Sequence, residues 1–352
     1  MNLHRILSLD AVTPEWLTAA LAQRYPGTKV ESFETGTIIR GMATKAQLFL
    51  TYADGAPAGL PPSMWLKCGF EAHSERSVPL YRAEVQFYHD LAGAIPINCA
   101  RSYFEDVEGR AGNGVLLLED LSLRQARFGQ PGEQLTVAQV ERILTLLSWL
   151  HSLPAVQPDV KALPWVAMPG AIDSVDVVAE YFGFWDDASG RPRFRHLPAP
   201  MRDRDRMFRA LRAMRALDTP DGREWLLHGD CHAGNLFFEP DGALGLLDWQ
   251  TVMLGHWASD VSYCLITSLS IEDRRLHERR LLQHYLDALE ARCGARIAFE
   301  DAWFEYRRRA AWCFLTTLCP VERHPETVVD AWASRTAAAL SDLQTVEALI
   351  GE

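Results

Sequence analysis

The spacing of apolar residues changes along the chain, and each change predicts a different kind of element. Thr13-Pro14-Glu15 offers a cap and a proline for a first helical turn, and Trp16, Leu17, Ala20 and Leu21 then recur at helical spacing until Pro26-Gly27. Short β-branched and aromatic runs follow at Val30 to Thr35, Ala46 to Tyr52 and Met64 to Cys68, divided by turn-rich stretches such as Asp54-Gly55-Ala56-Pro57. Those runs read as strands. A helical pattern from Val78 to Leu91 (Leu80, Val85, Tyr88, Leu91) and two more strand-like runs, Ser102 to Val107 and Val115 to Leu118, complete a small sheet carrying one helix over residues 30 to 118.

After Glu119-Asp120 the pattern becomes helical. Val140, Ile143, Leu144, Leu147 and Leu150 line one face of a predicted helix from Val137 to Leu153, and residues 256 to 269, 273 to 292, 300 to 318 and 326 to 349 read as four more. The exception is Leu226 to Gln250, where Leu226-Leu227, Leu236-Phe237-Phe238 and Leu244 to Leu247 are apolar runs separated by Gly, Asp and Pro, the pattern of strand-loop-strand pieces. Asp186 to Asp205, rich in Arg, Pro and Asp, reads as a mobile loop.

Composition narrows the class. At ~150 residues per domain, 352 residues predict about two lobes. A net charge of -11 repels polyanions, so no nucleic-acid partner is expected. The seven cysteines are scattered with no C-x-x-C pair, the N-terminal segment lacks the features of a signal peptide, and no run reaches the ~18 apolar residues of a spanning helix. A cytoplasmic protein with no membrane partner is the expectation.

The candidate chemistry lies in Leu226-Leu227-His228-Gly229-Asp230-Cys231-His232-Ala233-Gly234-Asn235-Leu236, followed by Asp248-Trp249-Gln250. Phosphoryl transfer from a nucleotide needs a carboxylate to orient or deprotonate the attacking hydroxyl, and oxygen ligands to hold Mg²⁺ across the phosphates. Asp230 and Asn235, five residues apart on one loop, with Asp248 at the end of the next hairpin strand, supply that set at the spacing of a kinase catalytic loop. Gly-Asp and Gly-Asn pairs also serve as simple turn residues, and His228, Cys231 and His232 are zinc-ligand types, though the sequence offers no fourth ligand for a closed site.

H-G-D-x-H-x-G-N with a downstream D-W-Q resembles the aminoglycoside phosphotransferase and choline kinase-like superfamily, most nearly its ecdysteroid kinase-like branch and bacterial relatives, over residues 30 to 270. The resemblance implies an α+β, bilobal protein kinase-like fold: a sheet-rich nucleotide-binding lobe over 1–118, a hinge at 119–123, and a larger helical catalytic and substrate lobe over 124–352. It implies ATP and Mg²⁺ as cofactors and a small-molecule alcohol as acceptor. Asp230 would be the catalytic base, and Asn235 and Asp248 the metal ligands. Lys67, inside the apolar run Met64 to Cys68, and Glu84, seventeen residues on, resemble the kinase lysine–glutamate pair. Gly36 and Gly41 would lie in a loop over the nucleotide, and Glu119 and Leu121 in the hinge that binds adenine.

The departures bear on the substrate. Gly229 stands where protein kinases carry Arg, and the short stretch from Asp248 to Asp260 leaves no room for a long activation loop, so no protein substrate is expected. Asp260 matches a position that braces the catalytic loop. Asp173, Asp176, Glu180, Asp186 and Asp187 offer a candidate acidic pocket for an aminoglycoside-type cation, while Gln250 replaces the glutamate of choline kinases. Trp249, Trp257, Trp303 and Trp312 suggest an apolar pocket. The expectation is an uncharged, fairly hydrophobic alcohol; a cationic acceptor, or a nucleotide-binding pseudokinase, are the alternatives.

Overall fold

Alternating burial along the early strands builds one antiparallel sheet, and a longer period builds the helices after it. The computed structural model describes residues 3–167, 176–218 and 224–351. The chain divides into two units: residues 1–127 with 239–243 and 247–250, and residues 128–238 with 244–246 and 251–352.

In the first unit the sheet has five strands in the order β1-β2-β3-β5-β4, with β1 at Val30–Ile39, β2 at Thr44–Tyr52, β3 at Ser63–Cys68, β4 at Ser102–Glu105 and β5 at Leu116–Glu119. Along β2, Thr44, Ala46, Leu48 and Leu50 are buried, whereas Lys45, Gln47 and Phe49 alternate onto the other face. Helix α1, Pro14–Leu21, is capped by Thr13, whose Oγ1 accepts from the Trp16 N–H. It buries Trp16, Leu17, Ala20 and Leu21 in one core with Ala46, Leu48, Leu66 and Phe104. Helix α2, Val78–Asp90, buries Tyr81, Val85, Phe87 and Tyr88, and among them the charged Glu84. That placement of a carboxylate organises the site described below.

The second unit is mainly helical. Helix α3, Val137–Val156, opens with a capping box between Thr136 and Gln139, each satisfying the other's backbone N–H. Its buried stripe runs from Val140 to Leu153 and includes His151. Two short antiparallel pairs carry the candidate loop: Trp225–Leu227 with Met253–Gly255, and Leu236–Phe238 with Leu244–Leu246.

Three expectations need adjustment. The helix expected over 300 to 318 ends at Arg309 and continues as 3-10 and short α turns, and the helix expected over 326 to 349 breaks where Gln344 turns left-handed at φ 50°. The stretch expected to be a mobile loop, 186 to 205, is instead a chain of short helical turns. Its charge and proline content misled, because Arg193 is fully buried: one guanidinium nitrogen donates to Glu326 Oε2 at 2.7 Å and another to the Cys319 carbonyl at 3.0 Å. Trp185, whose ring lies 5.5 Å from Phe182 and 5.4 Å from Phe194, packs this stretch into the core.

Removing the guanidinium should therefore unfold more than a loop. Arg193→Ala takes the charge partner from Glu326, which keeps only the backbone N–H of residue 193, and the guanidinium donor from the Cys319 carbonyl, and should cost about 2–3 kcal/mol, below the ~3–5 of a fully buried pair because Glu326 is partly exposed. Urea unfolding checks this, and a loss under about 1 kcal/mol would show that the stretch is not integral to the unit.

Candidate active site

Strand register places Lys45 directly opposite Lys67 on β2 and β3. Like charges so placed repel, and Lys67 is only 3% exposed, so water cannot compensate. Two carboxylates do. Lys67 Nζ lies 2.6 Å from Glu84 Oε2 and 2.9 Å from Asp248 Oδ1, and Lys45 Nζ lies 3.0 Å from Asp248 Oδ2. Glu84 Oε1 also accepts from the Trp249 backbone N–H at 3.2 Å, so one side chain fixes both the lysine and the backbone that follows Asp248. One helical turn on, Phe87 stacks on Trp249 with ring centroids 3.8 Å apart. Asp248 itself sits at φ 62°, a conformation non-glycine residues seldom adopt.

These contacts set the charge states. Burial alone would raise the Asp248 carboxyl, but the charges of Lys45 and Lys67 hold it well below the ordinary carboxylate range. Burial works against a charged Lys67, and Asp248 and Glu84 more than offset it, so its pKa is raised. Burial pushes the Glu84 carboxyl up; the Lys67 charge opposes that and the Asp248 charge adds to it.

The remaining first-unit candidates are more dispersed. Gly36 lies inside β1, which runs on to Ile39 because Ile38 and Ile39 pair with Ala46 and Lys45; the turn is left with only residues 40–43. A Cβ on Gly36 would come within 2.7 Å of the Phe49 ring, so this glycine answers a packing need, whereas a Cβ on Gly41 would meet only the Ala43 carbonyl, at 4.0 Å. The Glu119 carboxylate is engaged by the Arg124 guanidinium and by the Arg101 N–H, and Leu121 is buried at the start of the turn Leu121–Arg124. Between them Asp120, not singled out from sequence, accepts from Gln47, Ser63, Trp65 and Ser122, tying β2, β3 and the chain beyond β5 together.

In the second unit, Asp260, at the start of the helix Ala258–Ser268, accepts the His228 N–H at 2.7 Å on Oδ2 and the Gly229 N–H at 2.9 Å on Oδ1. His151 Nε2 lies 3.2 Å from Asp260 Oδ2, and a carboxylate only accepts, so Nε2 carries the hydrogen and Nδ1 accepts from the Tyr285 hydroxyl at 2.7 Å. Burial opposes a charged Asp260, yet these donors keep its carboxyl lowered. Gly229 cannot carry a side chain: φ is 82°, and a Cβ would lie 2.5 Å from the Thr251 carbonyl. The loop so held presents Asp230, whose side chain is 39% exposed. Asn235 Nδ2 donates to the Asp230 carbonyl at 2.9 Å and to Asp230 Oδ2 at 3.0 Å, which turns its amide oxygen away from that carboxylate. His232 Nδ1 accepts the Gly234 N–H, leaving the hydrogen on Nε2, 3.6 Å from Asp230 Oδ2.

Around this loop the structure reassigns several candidates. Cys231 is buried against Cys264, which raises its thiol pKa. His228 Nδ1 accepts the Asp230 N–H, so it orients the loop. Asp176 pairs with Arg212, Asp187 with Arg191, and Glu180 with Arg323; Asp173 lies outside the described residues. Trp249 and Trp257 are core side chains, the second stacked on Tyr285, while Trp303 stacks on Tyr306 and Trp312 lies under Arg215. Beside His232 stand instead Trp332, Tyr263 and His324, with ring centroids 5.2, 6.3 and 6.4 Å away. Burial, with the neighbouring His232 and Arg323, lowers His324 to about 4. One signal was legible: His151 interrupts an apolar stripe four residues after Leu147. Tyr263, His324 and Trp332 carried none, because helices distant in sequence bring them to the loop.

The model of the phosphotransferase enzyme family matches residues 63–312. Among solved structures, the chain is similar to a candidate aminoglycoside phosphotransferase from Ralstonia eutropha JMP134, at 16% identity and a TM-score of 0.52 over 94% of this chain and 98% of that one. It is also similar to LicA in complex with AMP, at 14% identity and a TM-score of 0.50 over 95% and 98%, and to the choline kinase LicA from Streptococcus pneumoniae, at 14% and 0.49 over 94% and 98%. At such identities the likeness is one of fold, the α+β fold of protein kinase-like enzymes. No curated protein matches the chain in sequence.

The His324 environment has a pH consequence. Its ordinary value is 6.5 and its folded value about 4, so an unfolded chain takes up the proton first as pH falls. The stabilisation from a neutral His324 should be complete above about pH 6.5 and lost by about pH 4. Melting temperature against pH checks this: His324→Gln should flatten the slope between those limits relative to wild type, and an unchanged slope would contradict it.

Proposed function

Since the chain belongs to the phosphotransferase enzyme family, we propose that it is a small-molecule kinase that transfers the γ-phosphate of ATP to a hydroxyl of an uncharged, fairly hydrophobic alcohol. The observation that carries the nucleotide half is the buried Lys67 charge, held at 2.6 and 2.9 Å by Glu84 and Asp248. A buried ammonium at a strand position is costly to keep, and it suits a site that must meet phosphate oxygens.

In this reading residues 1–118 bind nucleotide, with the backbone of 119–123, around Glu119 and Leu121, receiving the adenine, and 124–352 carry catalysis and the acceptor. Asp248 packs within the first unit although it follows the catalytic loop in sequence. Gly36 and Gly41 belong to the hairpin expected over the phosphates.

Each anchor has chemistry suited to its role. The donor chemistry suits Mg²⁺: Asp248 in the first unit and the Asn235 amide in the second are each hard oxygen ligands, and Asn235 spends its N–H groups on Asp230. A cation held by them would neutralise charge on the phosphates. Asp230 orients the acceptor hydroxyl and takes its proton onto the carboxylate. Tyr263, whose hydroxyl pKa is raised by burial and by Asp230, keeps its proton and donates to that carboxylate. Catalysis in this scheme rests on positioning and electrostatics, as a loose phosphoryl transition state requires.

The acceptor half rests on charge. Asp176, Glu180 and Asp187 are each paired with an arginine, and of the described acids in that group only Asp186 is exposed with no ion pair, which leaves the group poorly suited to gather a polycation. The rings packed around His232 are aromatic and imidazole, with His324 neutral at pH 7. An acceptor placed beside them would be apolar and uncharged.

ADP release with Mg-ATP over a panel of sterols, other neutral alcohols, sugars, choline and aminoglycosides tests the proposal. Acceptor-dependent release is expected from neutral alcohols, and Asp230→Asn should lower it by ~10²–10⁴-fold while still binding nucleotide. Stimulation by cations alone would overturn the acceptor class, and wild-type turnover by Asp230→Asn would overturn the site.

A further inference from the structure

Lys45 was not singled out in the sequence, yet it takes one of the two oxygens of Asp248. Lys45, Lys67, Glu84 and Asp248 sum to zero formal charge, and both Asp248 oxygens accept from ammonium groups at 2.9 and 3.0 Å. A divalent cation arriving alone must take a carboxylate oxygen from an ammonium and add two positive charges beside two others. Phosphate oxygens change that balance, because they offer the lysines an alternative partner and bring negative charge with them.

The two lysines are not equally free to respond. The Lys67 side chain is 4% exposed and is gripped by Glu84 as well as Asp248, whereas the Lys45 side chain is 36% exposed on a flexible four-carbon stem. Asp248 is 25% exposed on the side chain and fixed in its left-handed conformation by the contacts of Glu84 and Trp249 around it. The member able to move is Lys45, and the oxygen its movement frees is Asp248 Oδ2.

We propose that Lys45 is a positioning residue that withholds Asp248 from divalent cations until phosphate oxygens draw it away. The inference rests on the nucleotide-site reading given above. It makes cation and polyphosphate bind the protein cooperatively, beyond their own association in solution, and by linkage each raises the other's affinity by the same factor. It also gives the strand register a purpose: a cationic pair that would be a liability in a bare sheet becomes responsive to anions.

The test uses the full chain and Mn²⁺ as the probe, with free Mn²⁺ read by electron paramagnetic resonance in the absence of nucleotide. Lys45→Met should bind Mn²⁺ at least ~5-fold more tightly than wild type, as loss of a half-exposed ion pair implies. Lys45→Arg, which keeps the cation, should behave as wild type, and adding Asp248→Asn to Lys45→Met should abolish the gain. No gain in Lys45→Met, or a gain that survives Asp248→Asn, overturns the proposal. Calorimetry of Mg-ATP with wild type separates the two levels: failure to bind removes the nucleotide site itself, whereas binding without the Lys45 effect removes only this inference. Circular dichroism of each variant confirms that the chains compared are folded.

Discussion

A buried ammonium is the constraint on which the first unit depends. Lys67 is buried on β3 within ion-pair reach of Glu84 on α2, where an uncompensated charge would cost several kcal/mol. Its compensation dictates the surroundings. Glu84 must point inward from α2, although every other fully buried side chain of that helix is apolar or aromatic. Asp248 must approach from far along the sequence, in a left-handed conformation that is itself unfavourable. The Trp249 N–H then bonds to Glu84 and the Trp249 ring stacks on Phe87, so one charge aligns a strand, a helix and a distant loop.

The second unit uses a buried carboxylate in the corresponding way. Asp260 collects two backbone N–H groups of the candidate loop and the His151 imidazole, and Tyr285 completes the line. With its base held from below, the loop needs a tight left-handed turn at Gly229, and the Thr251 carbonyl leaves no space for a side chain. The same turn points Asp230 toward solvent, while Asn235 and Tyr263 restrict its orientation. Both units thus spend buried charge on holding polar groups in position, which a catalyst working by electrostatics requires.

Much of this was legible in the sequence where local chemistry decides. The cap before α1, the alternation of the first strands and the apolar stripe of α3 are period and capping signals, and the elements form where they predict. The family, and the α+β kinase-like fold that it implies, were legible through the likeness of H-G-D-x-H-x-G-N and the downstream D-W-Q to a known family's motif. What was not legible depends on register or on distant packing. Lys45 matters because it is cross-strand to Lys67, which no one-dimensional pattern states. Asp120 works through partners on three separate segments. The stretch from 186 to 205 looked mobile because the partner of Arg193, Glu326, is far along the chain. Of the four tryptophans that suggested a pocket, Trp249 and Trp257 serve the core, a role that their number along the chain does not reveal.

The most direct measurement is the affinity for Mg-ATP of wild type and Lys67→Met, by calorimetry on chains shown to be folded. A phosphate-binding Lys67 predicts that wild type binds and that Lys67→Met binds ~10- to 100-fold more weakly, the scale of a lost hydrogen bond to a charged group. Equal affinity in the two proteins, or no binding by wild type, would contradict the claim that the buried lysine exists to meet a nucleotide.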